Sequence, residues 1–371
     1  MNKRILLVLA ITVMVSALVV TACAPKPAPA PAPAPAPSPA PAPAPAPKPT
    51  PAPAPAGQIK FILAHGLTAF PQSDEGYGID LYVEALMGAT QYDPRLKDKV
   101  KLEVYDSGVL YDRPESQKAV ASGAIQMTYT MPSYLGDWSP EWALLDTPGV
   151  WTGQEHLLRA LATQPWKESE QSLATRNNVR IIHDSWWYVG GASIFTKTPA
   201  KTLEDLKGIK IRTWGAIGLG KVLGAWGMQA VPIDWAETVT ALQTGLVDSV
   251  VTSVDAALNL FHLDPYCKNA IVAPILPTSN VVIVNNQWWQ SLPPDVRDAI
   301  DEVFQKTGAG LSSFGYKTES SFIEQWKSKG LNLTTISESD FKRWLDVAKP
   351  TVAEIAGSLD PKYLQAFEST R

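Results

Sequence analysis

Cysteine is scarce in this sequence: its 371 residues contain two, Cys23 and Cys267. Only Cys267 lies in the part that reads as folded, so no intrachain disulfide and no thiolate metal site is available there. Cys267 itself reads as a small buried apolar residue. Histidine is also scarce: His65, His156, His183 and His262 are the full set, and none sits in a zinc-protease pattern. No Gly-x-Ser-x-Gly elbow occurs, and no credible nucleophile, base or cofactor loop marks an enzyme. Blocks of Lys or Arg are missing too. Residues 1–57 hold Lys3, Arg4, Lys26 and Lys48 without an acid, and the remainder has a formal balance of −8. A nucleic-acid binder needs a basic face, so no nucleic-acid partner is expected. An anionic ligand would have to meet a local positive group and not a general field. The stretch Gly215-Ala-Ile-Gly-Leu-Gly-Lys221 mimics a phosphate loop, but Val222 lacks the hydroxyl that would hold magnesium.

What is present divides the chain. Residues 1–22 read as a targeting segment: Lys3 and Arg4 precede an apolar run from Ile5 to Val20, too short for a comfortable membrane span. Val20-Thr21-Ala22-Cys23 resembles a bacterial lipobox, which implies cleavage before Cys23 and a lipid on its sulfur, anchoring the chain to a membrane. From Cys23 to residue 57 the chain is almost entirely Ala and Pro. Proline fixes φ and removes a donor, so this linker favours extended polyproline II and would act as a tether or stalk of up to roughly 100 Å.

The remaining residues alternate strand-like and helix-like patterns, which indicates an α/β class. Strands are expected at Ile59–Ala64, Val100–Tyr105, Ile125–Tyr129, Val179–Asp184 and Ile194–Thr196. Helices are expected at Gly76–Leu86, at Glu115–Ser122 before Gly123, from Thr238 to Leu246, from Ser291 through Phe304 or beyond, and at Asp340–Ala356. Thr152 with Glu155, Thr202 with Asp205, and Asp234 with Glu237 fit helix N-terminal capping pairs.

Four stretches in order carry a resemblance: Leu102–Leu110 running into Glu115–Met127, Lys201–Arg212, Val231–Asp248 and Val282–Pro293. Together they resemble the solute receptors of TRAP-type (DctP) transporters. That resemblance implies a two-lobed, periplasmic-binding-protein-like α/β fold with hinge crossovers and a long lobe-spanning helix. Lobe I would comprise 58–189 plus 278–317, and lobe II 190–277 plus 318–371. It also implies an extracytoplasmic receptor, not an enzyme, that captures a small organic acid between its lobes and delivers it to small and large membrane permease subunits. A ligand sensor feeding a signalling partner is the alternative use of the same fold.

The family's arginine at the end of the second stretch maps to Arg212, whose planar fork of donors matches a carboxylate. Trp214, two residues on, Trp187 in the run Trp186-Trp187-Tyr188, Trp235, Thr252 and His65 complete the expected lining. Of Tyr129, Met131 and Tyr134 after an early strand, Tyr129 is preferred as a donor to the anion. Two positions depart from the family pattern: Ser193 stands where many members have a second arginine, and Thr252 where many have asparagine. The loss of one cation suggests a 2-oxo or 2-hydroxy monocarboxylate, or an aromatic acid. No cofactor or metal is assigned; should a cation bridge the ligand, Glu237 and Asp255 are its candidate oxygen donors.

Overall fold

The computed structural model describes residues 57–66, 74–215 and 217–371. The expected targeting segment, Cys23 and the Ala/Pro-rich linker lie outside the described residues. Two six-stranded sheets organise the rest. The first contains β1 (Ile59–Ala64), β2 (Val100–Tyr105), β3 (Met127–Thr130), β4 (Val179–Ile181) and β5 (Trp187–Gly191). The second contains β6 (Ser193–Thr196), β7 (Lys210–Thr213), β8 (Gln229–Pro232), β9 (Ser249–Thr252) and β10 (Asn269–Val272). Then β11 (Pro277–Asn285) returns to the first sheet and β12 (Asn332–Thr335) joins the second.

β1 and β2 pair in parallel from Ile59↔Val100 to Ala64↔Tyr105, over the spans expected from their patterns. β11 is the hub of the first sheet: it pairs antiparallel with β3, β4 and β5. Its Val281-Val282-Ile283-Val284 run is wholly buried, as suits a strand covered on both faces. In the second sheet β7 lies between β8 and β9 and is parallel to both.

The helices depart from expectation mainly at their ends. α1 (Asp74–Tyr92) outruns the expected Gly76–Leu86. α2 (Arg113–Ser122) starts two residues early because Asp112 Oδ1 accepts from Glu115 N, and it closes on Gly123 at φ 81°. α3 (Gln154–Leu161) lacks the expected Thr152 cap: Gly153 occupies the cap position, and Thr152 N–H donates instead to His156 Nδ1 at 3.2 Å. After α4 (Gln164–Arg176), the Thr202–Asp205 pair forms its reciprocal hydrogen bonds but launches only the 3₁₀ turn Glu204–Leu206. α5 (Ile217–Ala225) follows β7, and α6 (Thr238–Thr244) follows a 3₁₀ turn capped by Asp234.

After the short α7 (Asn286–Ser291), α8 (Pro294–Ser328) runs for 35 residues, packing on α1 and β5 and reaching β12 at its far end. Two glycines let it press onto the first sheet. A Cβ on Gly308 would meet Asp184 O at 2.3 Å, and one on Gly315 would meet Tyr188 O at 2.3 Å. Each glycine lowers helix propensity by about 1 kcal/mol against alanine, so the close approach outweighs local preference. α8 also meets the chain where it passes between sheets. Glu319 accepts from Gly191 N–H and from Tyr188 OH, both at 2.9 Å. Ala192 N–H, at that crossing, donates to Leu276 O on the return crossing at 2.8 Å.

The C-terminal helices divide. α9 (Glu338–Gly357) packs on α5 of the second lobe. α10 (Pro361–Ser369) packs instead on α3 and α4. His156 Nε2 meets Phe367 O at 2.8 Å, Arg159 Nε donates to Thr370 O at 2.9 Å, and Phe367 meets Trp166 edge-on. Within 318–371, expected with lobe II, the last helix thus packs on elements from much earlier in the chain. The apolar face of α10 is buried against elements that precede β5.

Candidate functional site

Arg212 occupies the third position of β7, opposite Val231 on one neighbour and Val250 on the other. It is 3% exposed. A guanidinium in such a place is costly unless its hydrogens are engaged. Its Nε donates to Ile233 O at 2.9 Å, and its carbon stands 5.4 Å from the centroid of the Phe261 ring. Phe261 follows a π-helical turn, Ala256–Leu260, that begins just beyond the end of β9. This irregular turn brings Thr252, Ser253, Ala256, Leu260 and Phe261 to the same cavity wall as Arg212. Trp214 and Trp235 complete the second-sheet side.

Trp214 is held at both ends. Its Nε1 donates to Asp146 Oδ2 at 2.7 Å, and its carbonyl accepts from Tyr134 OH at 2.5 Å. Asp146 is buried, and burial pushes its carboxyl up to about 6, against the pull of hydrogen bonds from Ser133 and Trp214. The Tyr134 hydroxyl is likewise pushed up by burial, while the charges of Arg113 and Arg212 both pull it down. Tyr134 thus senses a second cation besides Arg212.

That cation comes from the first-sheet side. Arg113 is the opening residue of α2, 6% exposed, and its Nη2 donates to Tyr129 OH at 2.8 Å. With Met131, Tyr134, Val189 and Thr278 it forms the opposite wall. The space between the walls is about 40 Å³, room for a few water molecules.

Of the residues singled out from sequence, Arg212, Trp214, Trp235 and Thr252 line this cavity. The other three do not. Tyr129 stands behind Arg113, presenting its hydroxyl to that guanidinium, while Met131 and Tyr134 reach the space itself. Trp187 is buried in the first lobe's core beside Tyr82 and Tyr129; two residues further along β5, Val189 lines the wall. His65 is buried edge-on to Tyr129, one layer deeper. Ser193 is buried in β6.

Arg113 escaped the sequence reading because Asp112-Arg113-Pro114-Glu115 looks like an ordinary helix start. One signal was available: a cation in a helix's first turn opposes the macrodipole and needs another reason to be there. The proposed oxygen donors for a cation separate in character. Glu237 is exposed, and Asp255 is buried with its Oδ1 accepting from Asn259 at 2.7 Å. Among the described residues no group of three or more His, Cys, Asp or Glu is placed to hold a metal.

Comparison with known proteins supports the architecture. The model of the family described as bacterial extracellular solute-binding protein, family 7 (DctP), matches residues 84–358. The sialic acid-binding periplasmic protein SiaP of Vibrio cholerae is 23% identical over 287 residues, covering 74% of this chain and 88% of that protein. The sugar acid binding protein DctPAm of Advenella mimigardefordensis, solved with galactonate, superposes with a TM-score of 0.75 at 17% identity, covering 85% of this chain and 99% of that one. A TRAP periplasmic solute binding protein of Shewanella oneidensis, solved with succinate, gives 0.74 at 17% identity, covering 84% and 99%. The two structural matches establish a shared two-lobed α/β fold.

Proposed function

The chain belongs to the DctP family, the bacterial extracellular solute-binding proteins of family 7, and from that premise we propose that it captures a small organic anion between Arg212 and Arg113. The observation that carries this reading is the pair itself. Two buried guanidinium groups, one from the end of β7 and one from the start of α2, line one cavity between elements of different sheets. Like charges in a shared low-dielectric space repel, and an anion between them reverses the sign of that interaction. Binding would therefore draw the two walls together, a hinge motion about the crossings at Ala192 and Leu276. Entry of an organic acid would follow parting of those walls, and their closure would shut water out. The expectation of a single carboxylate rested on one cation, and Arg113 removes that premise.

The loaded receptor would deliver its ligand to small and large TRAP permease subunits and perform no chemistry of its own. Cys23 would carry the lipid that keeps it at the extracytoplasmic face of the membrane, with the Ala/Pro-rich stretch as tether. Replacing Cys23 with serine should move the protein from the membrane to the soluble fraction, read by fractionation and by mass spectrometry of the N-terminal peptide.

Thermal-shift screening against organic acids tests the receptor reading, because a ligand that binds only the folded state raises Tm. At a hundred times Kd the stabilisation is about 2.7 kcal/mol. Arg212→Lys should lose most of that shift, since an ammonium keeps the charge but not the fork. An undiminished shift in the variant would remove Arg212 from the site.

A further inference from the structure

Resting on that anion-receptor reading, we infer that the ligand is a compact acid with a hydroxyl-poor, largely apolar body, and that sugar acids are poor ligands. The inference follows from where the wall's polar hydrogens already point. Tyr134 OH donates to Trp214 O, Thr278 Oγ1 donates to Gly190 O, and Trp214 Nε1 donates to Asp146. Ser253 Oγ accepts from Ala256 N–H at 3.2 Å. Each hydroxyl has one hydrogen. Tyr134 and Thr278 have given theirs to the protein and turn only lone pairs to the cavity, Trp214 turns only ring, and Ser253, which accepts, keeps its single hydrogen, so partners for several ligand hydroxyls are few.

Much of the remaining wall is apolar: Met131, Val189, Ala256, Leu260 and Phe261 share it with the two guanidinium groups. Among the described residues, no Asp, Glu, Asn or Gln lines the cavity. Those are the side chains whose paired acceptors or mixed donors and acceptors grip vicinal hydroxyls. A hexonate or hexuronate would bring four or five hydroxyls into such a space. Each one buried without a partner weakens binding by about tenfold or more. A branched or cyclic hydrocarbon body removes apolar surface from water against the same residues.

Titration calorimetry on the wild-type protein tests this with singly charged acids: 4-methyl-2-oxopentanoate and cyclohexanecarboxylate on one side, D-galactonate and D-glucuronate on the other. The expected result is at least about fiftyfold tighter binding of the hydroxyl-poor pair, since two unpartnered hydroxyls already weaken binding by that order. Sugar acids that bind equally well or better overturn the inference while the receptor reading stands. Failure of every acid to bind, with Arg212→Lys indistinguishable from wild type, overturns both. Leu260→Gln adds a carboxamide at a half-buried wall position, and it should narrow the ratio by about threefold or more, a fraction of one hydrogen bond. A folded Leu260→Gln protein with an unchanged ratio would show that the apolar wall does not set selectivity and would overturn the inference.

Discussion

The two walls of the cavity are built by different rules. The second-sheet wall is local: Arg212 and Trp214 lie within three residues at the end of β7, and the stretch from Thr252, the last residue of β9, to Phe261 is continuous along the chain. The first-sheet wall is assembled from distant pieces, namely the start of α2, the segment after β3, the middle of β5 and the start of β11. A wall made from strand ends and the turn beside them can be read along the chain. A wall made by convergence of separate segments cannot, because which residue reaches the space depends on how deep each strand enters the layer. The side chains themselves show this. On the second-sheet side Arg212, Trp214, Trp235 and Thr252 all line the cavity, whereas Tyr129, Trp187 and His65 on the first-sheet side stand behind it.

Three substitutions sharpen that contrast. The largest effect is expected at Trp187, whose role is packing: Trp187→Ala should destabilise the fold by about 3–5 kcal/mol in chemical denaturation. Its order of preference among ligands should be unchanged. A reversed order would place the indole at the ligand after all.

An intermediate effect is expected at Tyr129. Tyr129→Phe removes the oxygen that accepts from Arg113 Nη2 and leaves the ring in the core. Affinity should fall by about 1 kcal/mol, a factor of roughly five, in calorimetry. If affinity instead falls as far as in an Arg212 variant, Tyr129 contacts the ligand directly.

The last effect belongs to Asp146, and its sign depends on pH. Burial holds its carboxyl up at about 6, against an ordinary value of 3.8. The folded protein therefore holds the proton more tightly, so the group's contribution to stability grows as pH falls from about 6 towards 3.8 and is absent above that window. Asp146→Asn, which keeps an oxygen for Trp214 Nε1, should be at least as stable as wild type at pH 8 and lose that margin at pH 4.5. Denaturation midpoints at the two pH values decide it, and a margin that grows on acidification contradicts the assignment.

Much of the fold was legible because local chemistry and tertiary packing agree. The spans of β1 and β2 follow from their apolar patterning, and the close of α2 at Gly123 follows from its left-handed backbone. The misreadings have physical causes as well. Thr152 resembled a cap, but the ring of His156 took its N–H. α10 was not among the expected helices, and it is held by Phe367, buried edge-on to Trp166 far earlier in the chain. At the site, Arg212 was legible through a family motif and Arg113 was not, because nothing in a helix's first turn shows that a strand residue behind it will hold it buried.

The central claim is that one anion lies between the two cations. A double-mutant cycle on Arg113→Gln and Arg212→Gln, with ligand affinity read by calorimetry, tests it most directly. The account predicts that each single variant weakens binding by at least about 2 kcal/mol and that the double variant falls short of their sum by 0.5 kcal/mol or more, since both groups act on one charge. Losses that add to within about 0.3 kcal/mol, or an Arg113→Gln protein that binds like wild type, would contradict it.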